Sequence, residues 1–217
     1  MNLFALPGVY GPQDDTALLA ETLRDEPVPQ GAEVLDIGTG TGALALAAAR
    51  RGARVTAVDI SWRAVLSTRL NARLAGLPVN VLRGNLLAPV AERSYDLILS
   101  NPPYVPADRP TAPRHSPAQA WDAGGDGRLL LRRICREAPL RLRPGGVLLL
   151  VHSALSGAES TLAELREEGL KAAVAARRSI PFGPVLRSRS AWLAGQGLIE
   201  DGATTEELVV IRAERPV

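Results

Sequence analysis

The run Asn101-Pro102-Pro103-Tyr104, NPPY in one-letter code, has the residue types needed to hold a planar nitrogen. Two consecutive prolines fix φ and keep Asn101 out of the helical region, so the backbone after Asn101 is stiff. Because neither proline has an N–H, the turn presents two oxygens, the Asn101 side-chain oxygen and the Pro102 carbonyl, which we call the oxygen pair. The oxygen pair can accept both hydrogens of an –NH2 group while the Tyr104 ring stacks on its π-system. The nitrogen lone pair would then point out of plane, toward an electrophile.

A second motif, Asp36-Ile37-Gly38-Thr39-Gly40-Thr41-Gly42, has glycines that let the backbone turn tightly and approach a ligand closely. Farther along, Asp59 ends the next predicted strand, where a carboxylate can accept both hydroxyl hydrogens of an adenosine ribose. With Ala43 the motif also matches the dinucleotide pattern G-x-G-x-x-A, so a nicotinamide-dependent enzyme is an alternative on this motif alone. The oxygen pair at Asn101 favours a methyl-transferring enzyme, because a dehydrogenase has no use for a site that holds an –NH2 group.

Hydrophobic patterning predicts alternating strands and helices that carry these motifs at strand ends. The predicted strands are 32–37, 54–58, 79–82, 95–99, 147–152, 170–176 and 208–213, and the predicted helices are 16–24, 43–51, the segment capped by Ser61 up to 75, 128–141 and 159–168. Asp14 or Asp15 is expected to cap the first helix. The alternation predicts an α/β fold of the Rossmann-like, doubly wound type, a mostly parallel seven-stranded sheet with helices on both faces. No clear helical pattern joins the last two strands across 181–205, so we expect an antiparallel strand at one edge.

Composition limits the classes to which the chain can belong. The 217 residues are 46% hydrophobic and 22% charged, which is ordinary for a globular domain and excludes collagen, coiled coil and disorder. A net charge of +2 is too small for a dedicated duplex-DNA binder. One cysteine and two histidines give neither an internal disulfide nor a zinc-ligand pattern, so we expect no metal. The aliphatic run 147–151 is too short to cross a membrane and no signal peptide is visible, so we expect a cytoplasmic protein.

Three segments together resemble one known family: DIGTGTGALALA at 36–47, VTAVDIS at 55–61 and LILSNPPYVP at 97–106. They look like the class I S-adenosylmethionine-dependent methyltransferases, and specifically the HemK-type protein-(glutamine N5) methyltransferases. The leader VYGPQDDT at 9–16 and the pattern W-x-x-G-G-x-G-R at 121–128 are similar to the short branch of that family, which lacks a separate amino-terminal domain. No composition break marks a second domain. We therefore expect one domain over residues 1–217, with 1–30 as a leader and helix that cover the donor and acceptor site.

The resemblance implies S-adenosyl-L-methionine as the methyl donor and assigns residues to it. Those residues are Thr16, Asp36, Gly38, Thr39, Gly40, Gly42, Asp59, Ile60, Asn85, Leu86 and Asn101. Asp36, Gly38 and Gly40 would contact the methionine part of the donor. Thr16 would lie near the methionine carboxylate, and Asp59 would bind the ribose.

The remaining implied roles concern the adenine and the acceptor. Ile60 would contact the adenine, and Asn85 with Leu86 would flank it. The family usually has Asp where this chain has Asn85; an amide can still accept a hydrogen bond from the adenine amino group, but it carries no charge. The catalytic residues would be Asn101, Pro102 and Tyr104.

By this resemblance the reaction is methylation of a glutamine side-chain amide in a protein, and the implied target is the Gly-Gly-Gln motif of a translation release factor. N6-adenine methylation of DNA or RNA needs the same oxygen pair and stays an alternative, as do a small-molecule N- or O-methyltransferase and a donor-binding module without catalysis. Nucleic acid is therefore not excluded as a partner, whereas no membrane partner is expected. Members of the short branch often rely on a small zinc-binding activator subunit that covers an exposed edge. His115, in a proline-rich loop, would lie near the entry of the acceptor.

Overall fold

A computed structural model describes residues 3–110 and 116–217, and His115 lies outside the described residues. The helices in these ranges are α1 (Asp14–Asp25), α2 (Ala43–Arg50), α3 (Trp62–Ala75), α4 (Leu129–Glu137), α5 (Ala158–Glu167) and α6 (Pro184–Gly195). The strands are β1 (Glu33–Ile37), β2 (Arg54–Asp59), β3 (Val79–Arg83), β4 (Tyr95–Ser100), β5 (Leu142–Ser153), β6 (Lys171–Pro181) and β7 (Thr205–Glu214). Within the described ranges, no helix has the length and apolar character needed to span a membrane.

The strands form one sheet in the order β3-β2-β1-β4-β5-β7-β6. The first five strands of that order are parallel, and β7 runs antiparallel between β5 and β6. Right-handed crossovers in opposite directions from β1 place α2 and α3 on one face and α4 and α5 on the other. The first helix, α1, packs beside α2. The predicted doubly wound, mostly parallel sheet with antiparallel pairing at one edge is confirmed.

The crossovers that leave β1 and β4 run in opposite directions along the sheet, and this positions the two motifs side by side. In open α/β sheets the ligand crevice lies beyond the carboxyl ends of the strands, where the crossovers diverge. Ile37 at the end of β1 pairs with Ser100 at the end of β4, and the Ser100 hydroxyl donates to the Ile37 carbonyl at 3.0 Å. The glycine motif and the NPPY turn therefore leave the sheet at adjacent points of the same edge.

The middle of the sheet is occupied by the strands with the most continuous apolar runs. Val34, Leu35 and Ile37 of β1 and residues 148–151 of β5 are fully buried. Strands covered on both faces are expected to have such runs rather than alternating polar and apolar residues. The core thus fixes the strand ends from which the site is built.

Helix ends follow the local sequence in α3 but not in α1. Ser61 caps α3 by accepting a backbone N–H three residues on at 3.4 Å, and Gly76, at φ +66°, ends the helix, as predicted. The prediction that Asp14 or Asp15 caps α1 is wrong, because both lie in the first helical turn. Gln13 holds the cap position and makes no side-chain capping bond.

The chain between β6 and β7 contains a helix that the sequence did not predict. Residues 184–195 form α6, where Leu186 and Leu193 pack with Phe182 in a small hydrophobic cluster separate from the main core. A helix that buries so few apolar side chains has a weak periodic pattern, so the sequence of this segment, which is rich in glycine, proline, arginine and serine, does not reveal it.

The region before β5 also differs from the prediction. The helix predicted at 128–141 ends at Glu137, because Pro139 cannot continue it and instead begins a short 3₁₀ turn. β5 then begins at Leu142, earlier than predicted, so Pro144-Gly145-Gly146 lies inside the strand rather than before it. The pairing of β4 with β5 is irregular at this point, between Tyr95 and Leu97.

Candidate active site

A cavity of about 860 Å³ lies beyond the carboxyl ends of β1, β2 and β4. Its other walls come from the leader that precedes α1 and from the first turn of α6. The sequence-predicted residues that line it are Thr16, Gly38, Thr39, Gly40, Asp59, Ile60, Asn85, Leu86, Asn101, Pro102 and Tyr104. Asp36 and Gly42, which are also predicted to contact the donor, do not belong to the lining. The structure thus brings the glycine motif and the NPPY turn to one cavity.

The glycine motif turns sharply because Gly38, Gly40 and Gly42 adopt positive φ, at +72°, +57° and +86°. A Cβ on Gly40 would come 3.3 Å from the carbonyl oxygen of Tyr10, so the leader packs directly on the turn. A Cβ on Gly42 would come 2.8 Å from the methyl carbon of Thr68 on α3. Gly42 therefore permits close packing of α2 against α3, whereas Gly38 and Gly40 form part of the cavity wall.

The carboxylate of Asp36 is buried at the end of β1, directly before the residues that line the cavity. Its Oδ2 accepts hydrogen bonds from the Thr39 hydroxyl at 2.6 Å and from the Ala45 N–H at 3.1 Å. Its Oδ1 has no hydrogen-bond partner among the described residues. Burial raises the pKa of this carboxyl to about 6. Asp36 therefore holds the turn of the glycine motif from behind the cavity wall, and a cationic ligand group in the cavity, such as the ammonium of an amino acid, would favour its ionised form.

At the end of β2, Asp59 lines the cavity with a carboxylate that can still accept hydrogen bonds. Its Oδ2 accepts the Gly40 N–H at 3.0 Å, and its Oδ1 accepts the Ser61 N–H at 2.8 Å. Burial raises the pKa of this carboxyl as well. A carboxylate has about four lone-pair sites, so each oxygen can accept one more hydrogen, as the two hydroxyls of a ribose require. The exposed Ile60 beside it offers an apolar surface for a base.

The loop after β3 closes the same side of the cavity. Leu86 has φ +49°, a conformation that bulky residues rarely adopt and that is common at ligand sites. Asn85 Oδ1 accepts a hydrogen bond from Arg133 of α4 at 3.1 Å, which occupies one of its two lone pairs. Asp59 and this loop line the cavity with groups that suit the ribose and adenine of S-adenosyl-L-methionine, and the charge of Asp36 behind the wall suits its ammonium.

Asn101 and Pro102, the residues of the oxygen pair, both line the cavity. Asn101 directly follows β4, and its Nδ2 donates to the Thr16 hydroxyl oxygen at 3.2 Å. This bond uses the amide nitrogen and leaves the side-chain oxygen available as an acceptor. Pro102 is buried next to it, with its nitrogen unable to donate. Both residues thus keep the features that the predicted role of the oxygen pair requires, a side-chain oxygen without an internal donor among the described residues and a neighbouring nitrogen that cannot donate.

Sequence reasoning missed the buried carboxylate of Asp15. Its Oδ2 accepts the phenol hydroxyls of Tyr10 at 2.8 Å and Tyr104 at 3.0 Å. Burial and the nearby Asp15 charge raise the pKa of both tyrosines, so both phenols stay protonated and donate. Tyr104 lines the cavity, and its hydroxyl is held by Asp15, which lines the cavity as well. In sequence Asp15 has the position of a helix cap, and no pattern pairs it with Tyr104, 89 residues later.

A second acidic residue that the sequence did not reveal is Glu206, near the start of β7. It lines the cavity, it is only 8% exposed, and its Oε2 has no hydrogen-bond partner among the described residues. Burial raises the pKa of this carboxyl. Its position depends on the insertion of β7 between β5 and β6, which local sequence patterns do not show.

Comparison with known proteins relates this chain to methyltransferases. Residues 1–113 match the profile of a family described as the methyltransferase small domain. A Methanocaldococcus jannaschii protein, provisionally named a protein N5-glutamine methyltransferase, is 36% identical over 177 residues, which cover 81% of this chain and 88% of that protein. The release factor glutamine methyltransferase of Deinococcus radiodurans is 47% identical over 163 residues, which cover 72% of this chain and 57% of that protein. The chain spans between half and two thirds of the length of the curated release factor glutamine methyltransferases that it matches.

A solved structure from E. cuniculi shares the fold over almost its whole length. It is a complex of two proteins, Mtq2 and Trm112, described as responsible for methylation of the translation termination factor eRF1. The superposition has a TM-score of 0.68 at 25% sequence identity and covers 96% of this chain and 99% of the matched chain.

Proposed function

This chain belongs to the HemK-type protein-(glutamine N5) methyltransferases, a family of S-adenosyl-L-methionine-dependent enzymes, and from that premise we propose its target. It methylates the side-chain amide nitrogen of a glutamine, in the Gly-Gly-Gln motif of a translation release factor. The observation that carries this proposal is the position of the oxygen pair, Asn101 and Pro102, on the wall that also holds Asp59 and the glycine motif. The names of the relatives support the choice of substrate. Because release factors act in protein synthesis, the enzyme would work in the cytoplasm.

The difficulty of this reaction is that an amide nitrogen is a poor nucleophile, since its lone pair is delocalised into the carbonyl. The oxygen pair accepts both N–H hydrogens and holds the lone pair toward the methyl carbon, which opposes that delocalisation. When bound, S-adenosyl-L-methionine supplies that carbon as an electrophile on a positively charged sulfur. As the N–C bond forms, the C–S bond breaks, the sulfur leaves as a neutral thioether, and the nitrogen releases one of its two protons to solvent. Alignment of reacting groups can lower a barrier by about 7–11 kcal/mol in favourable cases, so positioning by Asn101 and Pro102 can account for much of the rate.

Transfer of a labelled methyl group into purified release factor, total RNA and DNA, assayed in parallel, tests this proposal. We expect label in the release factor, confined to the glutamine of its Gly-Gly-Gln motif. A release factor with that glutamine replaced by alanine is the matched control substrate and should stay unlabelled. Label in RNA or DNA instead would establish the adenine alternative, which uses the same oxygen pair. Binding of the donor without label in any of the three macromolecules would contradict both the glutamine proposal and the adenine alternative.

We further propose that a small zinc-binding subunit covers the sheet edge at β3. This strand has a neighbour on one side only, and α3 beside it exposes apolar side chains at four-residue spacing. These side chains are Trp62, Leu66, Leu70 and Leu74. A contiguous exposed apolar stripe of this kind is typical of a protein interface. The two-protein composition of the E. cuniculi structure supports a partner of this type.

A variant with both Leu66→Lys and Leu70→Lys tests the proposed subunit surface. When the small zinc-binding subunit is added to the natural chain, we expect the two to co-elute and methyl transfer to rise. The double variant should lose both effects and keep the activity of the chain alone. Ala75→Lys, on the opposite side of the same helix, should behave like the natural chain. Full activity of the natural chain alone, with no binding of the subunit, would contradict this part of the proposal.

A further inference from the structure

The carboxylate of Asp15 is fully occupied by its own protein. Its Oδ2 accepts two phenol hydroxyls, from Tyr10 and Tyr104. Its Oδ1 accepts the Thr16 N–H at 2.5 Å and the Thr16 hydroxyl at 3.1 Å. A carboxylate offers about four lone-pair sites, so these bonds leave none for a ligand. At 3% exposure, Asp15 is a buried acceptor in the cavity wall, and its hydrogen bonds all go to its own protein.

This acceptor fixes the direction of the Thr16 hydroxyl. A hydroxyl has one hydrogen, and because an ionised carboxylate can only accept, that hydrogen must point to Asp15. The Thr16 oxygen is then left as an acceptor, and the atom facing it is Nδ2 of Asn101 at 3.2 Å. The reversed Asn101 amide would place its oxygen against the lone pairs of the Thr16 oxygen. The hydrogen-bond directions therefore allow one orientation of the Asn101 side chain.

We propose that Asp15 is a positioning residue, which sets the orientation of the Asn101 amide through the Thr16 hydroxyl. With this orientation Asn101 presents its oxygen to the acceptor –NH2 group. A reversed amide would present its own –NH2 there, and two donors would face each other. This inference rests on the proposed role of the oxygen pair, and it applies to any acceptor that carries an –NH2 group.

We call the path from Asp15 through the Thr16 hydroxyl to the Asn101 amide the relay. A double-mutant cycle of Asp15→Asn and Thr16→Val tests it. Asn at position 15 has one oxygen and one –NH2 group, so it can no longer accept from the Thr16 hydroxyl and both phenols as a carboxylate does. The Thr16 hydroxyl hydrogen is then not fixed toward residue 15, and the Asn101 amide loses its single orientation. We expect Asp15→Asn to lower kcat by about ten- to hundredfold, the order expected for a misplaced reacting group. Its affinity for S-adenosyl-L-methionine, measured by calorimetry, should change by no more than a few fold. In the Thr16→Val background, where no hydroxyl can transmit the change, Asp15→Asn should have no further effect on kcat.

An equal loss of kcat in both backgrounds would overturn the relay, because it would mean that Asp15 acts by another route, such as its bonds to Tyr10 and Tyr104. Asp25→Asn, which removes the same charge at the far, exposed end of α1, is the control and should keep the natural kcat. If Asp15→Asn fails to fold, Thr16→Ser and Thr16→Val decide the question. The serine variant keeps the hydroxyl and should retain most of kcat, and equal activity of the two would contradict the relay.

Failure of the relay can be distinguished from failure of the proposed function. The cycle is measured with whichever of release factor, RNA or DNA the natural chain methylates. If the natural chain methylates adenine, the glutamine proposal fails while the cycle still reports on the Asn101 amide. If release factor is methylated and the cycle shows no coupling between Asp15 and Thr16, only the relay fails.

Discussion

A methyl group on Gly127 would lie 2.2 Å from the carbonyl oxygen of Tyr104, so the backbones of these two residues are in direct contact. Gly127 belongs to the W-x-x-G-G-x-G-R loop and has φ +72°. The Ser156 hydroxyl donates to the same carbonyl at 2.7 Å. The end of the NPPY turn is therefore supported by two segments that are distant from it in sequence, and the loop contributes to the site through this support.

We expect Gly127→Ala to lower both the stability of the protein and its rate of methyl transfer. The neighbouring atom is a backbone carbonyl that cannot rotate away, and the positive φ adds strain of about 1–3 kcal/mol. Thermal denaturation measures the first effect, and kcat with release factor measures the second. Gly125→Ala is a matched control in the same loop, because nothing lies within 4 Å of a Cβ built there. Equal Tm and kcat for the two variants would show that the contact is not needed.

Asn101→Ala should abolish turnover and leave donor affinity within a few fold of that of the natural chain. The substitution removes one oxygen of the oxygen pair, so the acceptor nitrogen loses its orientation, whereas Asp36 and Asp59 remain in place for the donor. Labelled-methyl transfer measures turnover, and calorimetry with S-adenosyl-L-methionine measures donor binding. Near-normal turnover in this variant would contradict the role of the oxygen pair.

The raised pKa of Asp36, about 6, should make donor binding depend on pH. Burial disfavours the ionised carboxyl, so below this pKa the group is protonated, and a cationic donor binds the ionised form better. We expect the affinity for S-adenosyl-L-methionine to fall as the pH decreases through about 6. Calorimetry across this range measures the effect. Asp36→Asn should bind the donor weakly without that pH dependence, and an unchanged dependence in this variant would assign it to another group.

The same carboxyl should make the protein without donor less stable as the pH rises. Between the ordinary pKa of 3.8 and the raised value of about 6, the folded state binds more protons at Asp36 than the unfolded state does. The free energy of unfolding contributed by this group therefore decreases as the pH rises through that window. Urea denaturation at either end of the window measures the change. Asp36→Asn should reduce it, whereas Asp96→Asn, at a partly exposed ion pair with Arg143, should not.

Local patterns were sufficient to predict the residues that follow single strands. Asp59 and Asn101 each come directly after an apolar run, and the carboxyl ends of parallel strands lie at one edge of the sheet, so their proximity follows from the alternation of strands and helices. Asp15 and Glu206 could not be predicted in this way. The partners of Asp15 include Tyr104, far along the chain, and Glu206 reaches the cavity only because β7 enters the sheet in the reverse direction.

The cavity wall formed by α6 shows the same limit of sequence-based prediction. In α6 only Leu186 and Leu193 are buried, so the helix has little periodic hydrophobic pattern, and polar contacts with residues far away in sequence add to its packing. Arg189 of α6 donates to Asp122 Oδ1 at 2.6 Å and to the Pro106 carbonyl at 2.8 Å. The Asp122 side chain is fully buried, with Arg109 at 3.8 Å as a second cation. These contacts hold α6 over the cavity.

We expect Arg189→Met to lower stability by about 1–3 kcal/mol, because it leaves the buried Asp122 carboxylate without its closest partner. It should also raise KM for the release factor more than it changes kcat, since α6 forms a wall of the cavity away from Asp59 and the glycine motif. Urea denaturation and initial rates measure the two effects. Arg187→Met, on an exposed position of the same helix, is the matched control.

The combination of Arg189→Met with Asp122→Asn separates the buried charge from the position of α6. Without the charge at position 122, stability should recover in part, because a neutral amide costs less to bury than an unpaired carboxylate. KM for the release factor should stay high, because neither side chain then holds α6 over the cavity. Recovery of both stability and KM would mean that the pair matters only through the buried charge, and that α6 keeps its place by its apolar contacts alone.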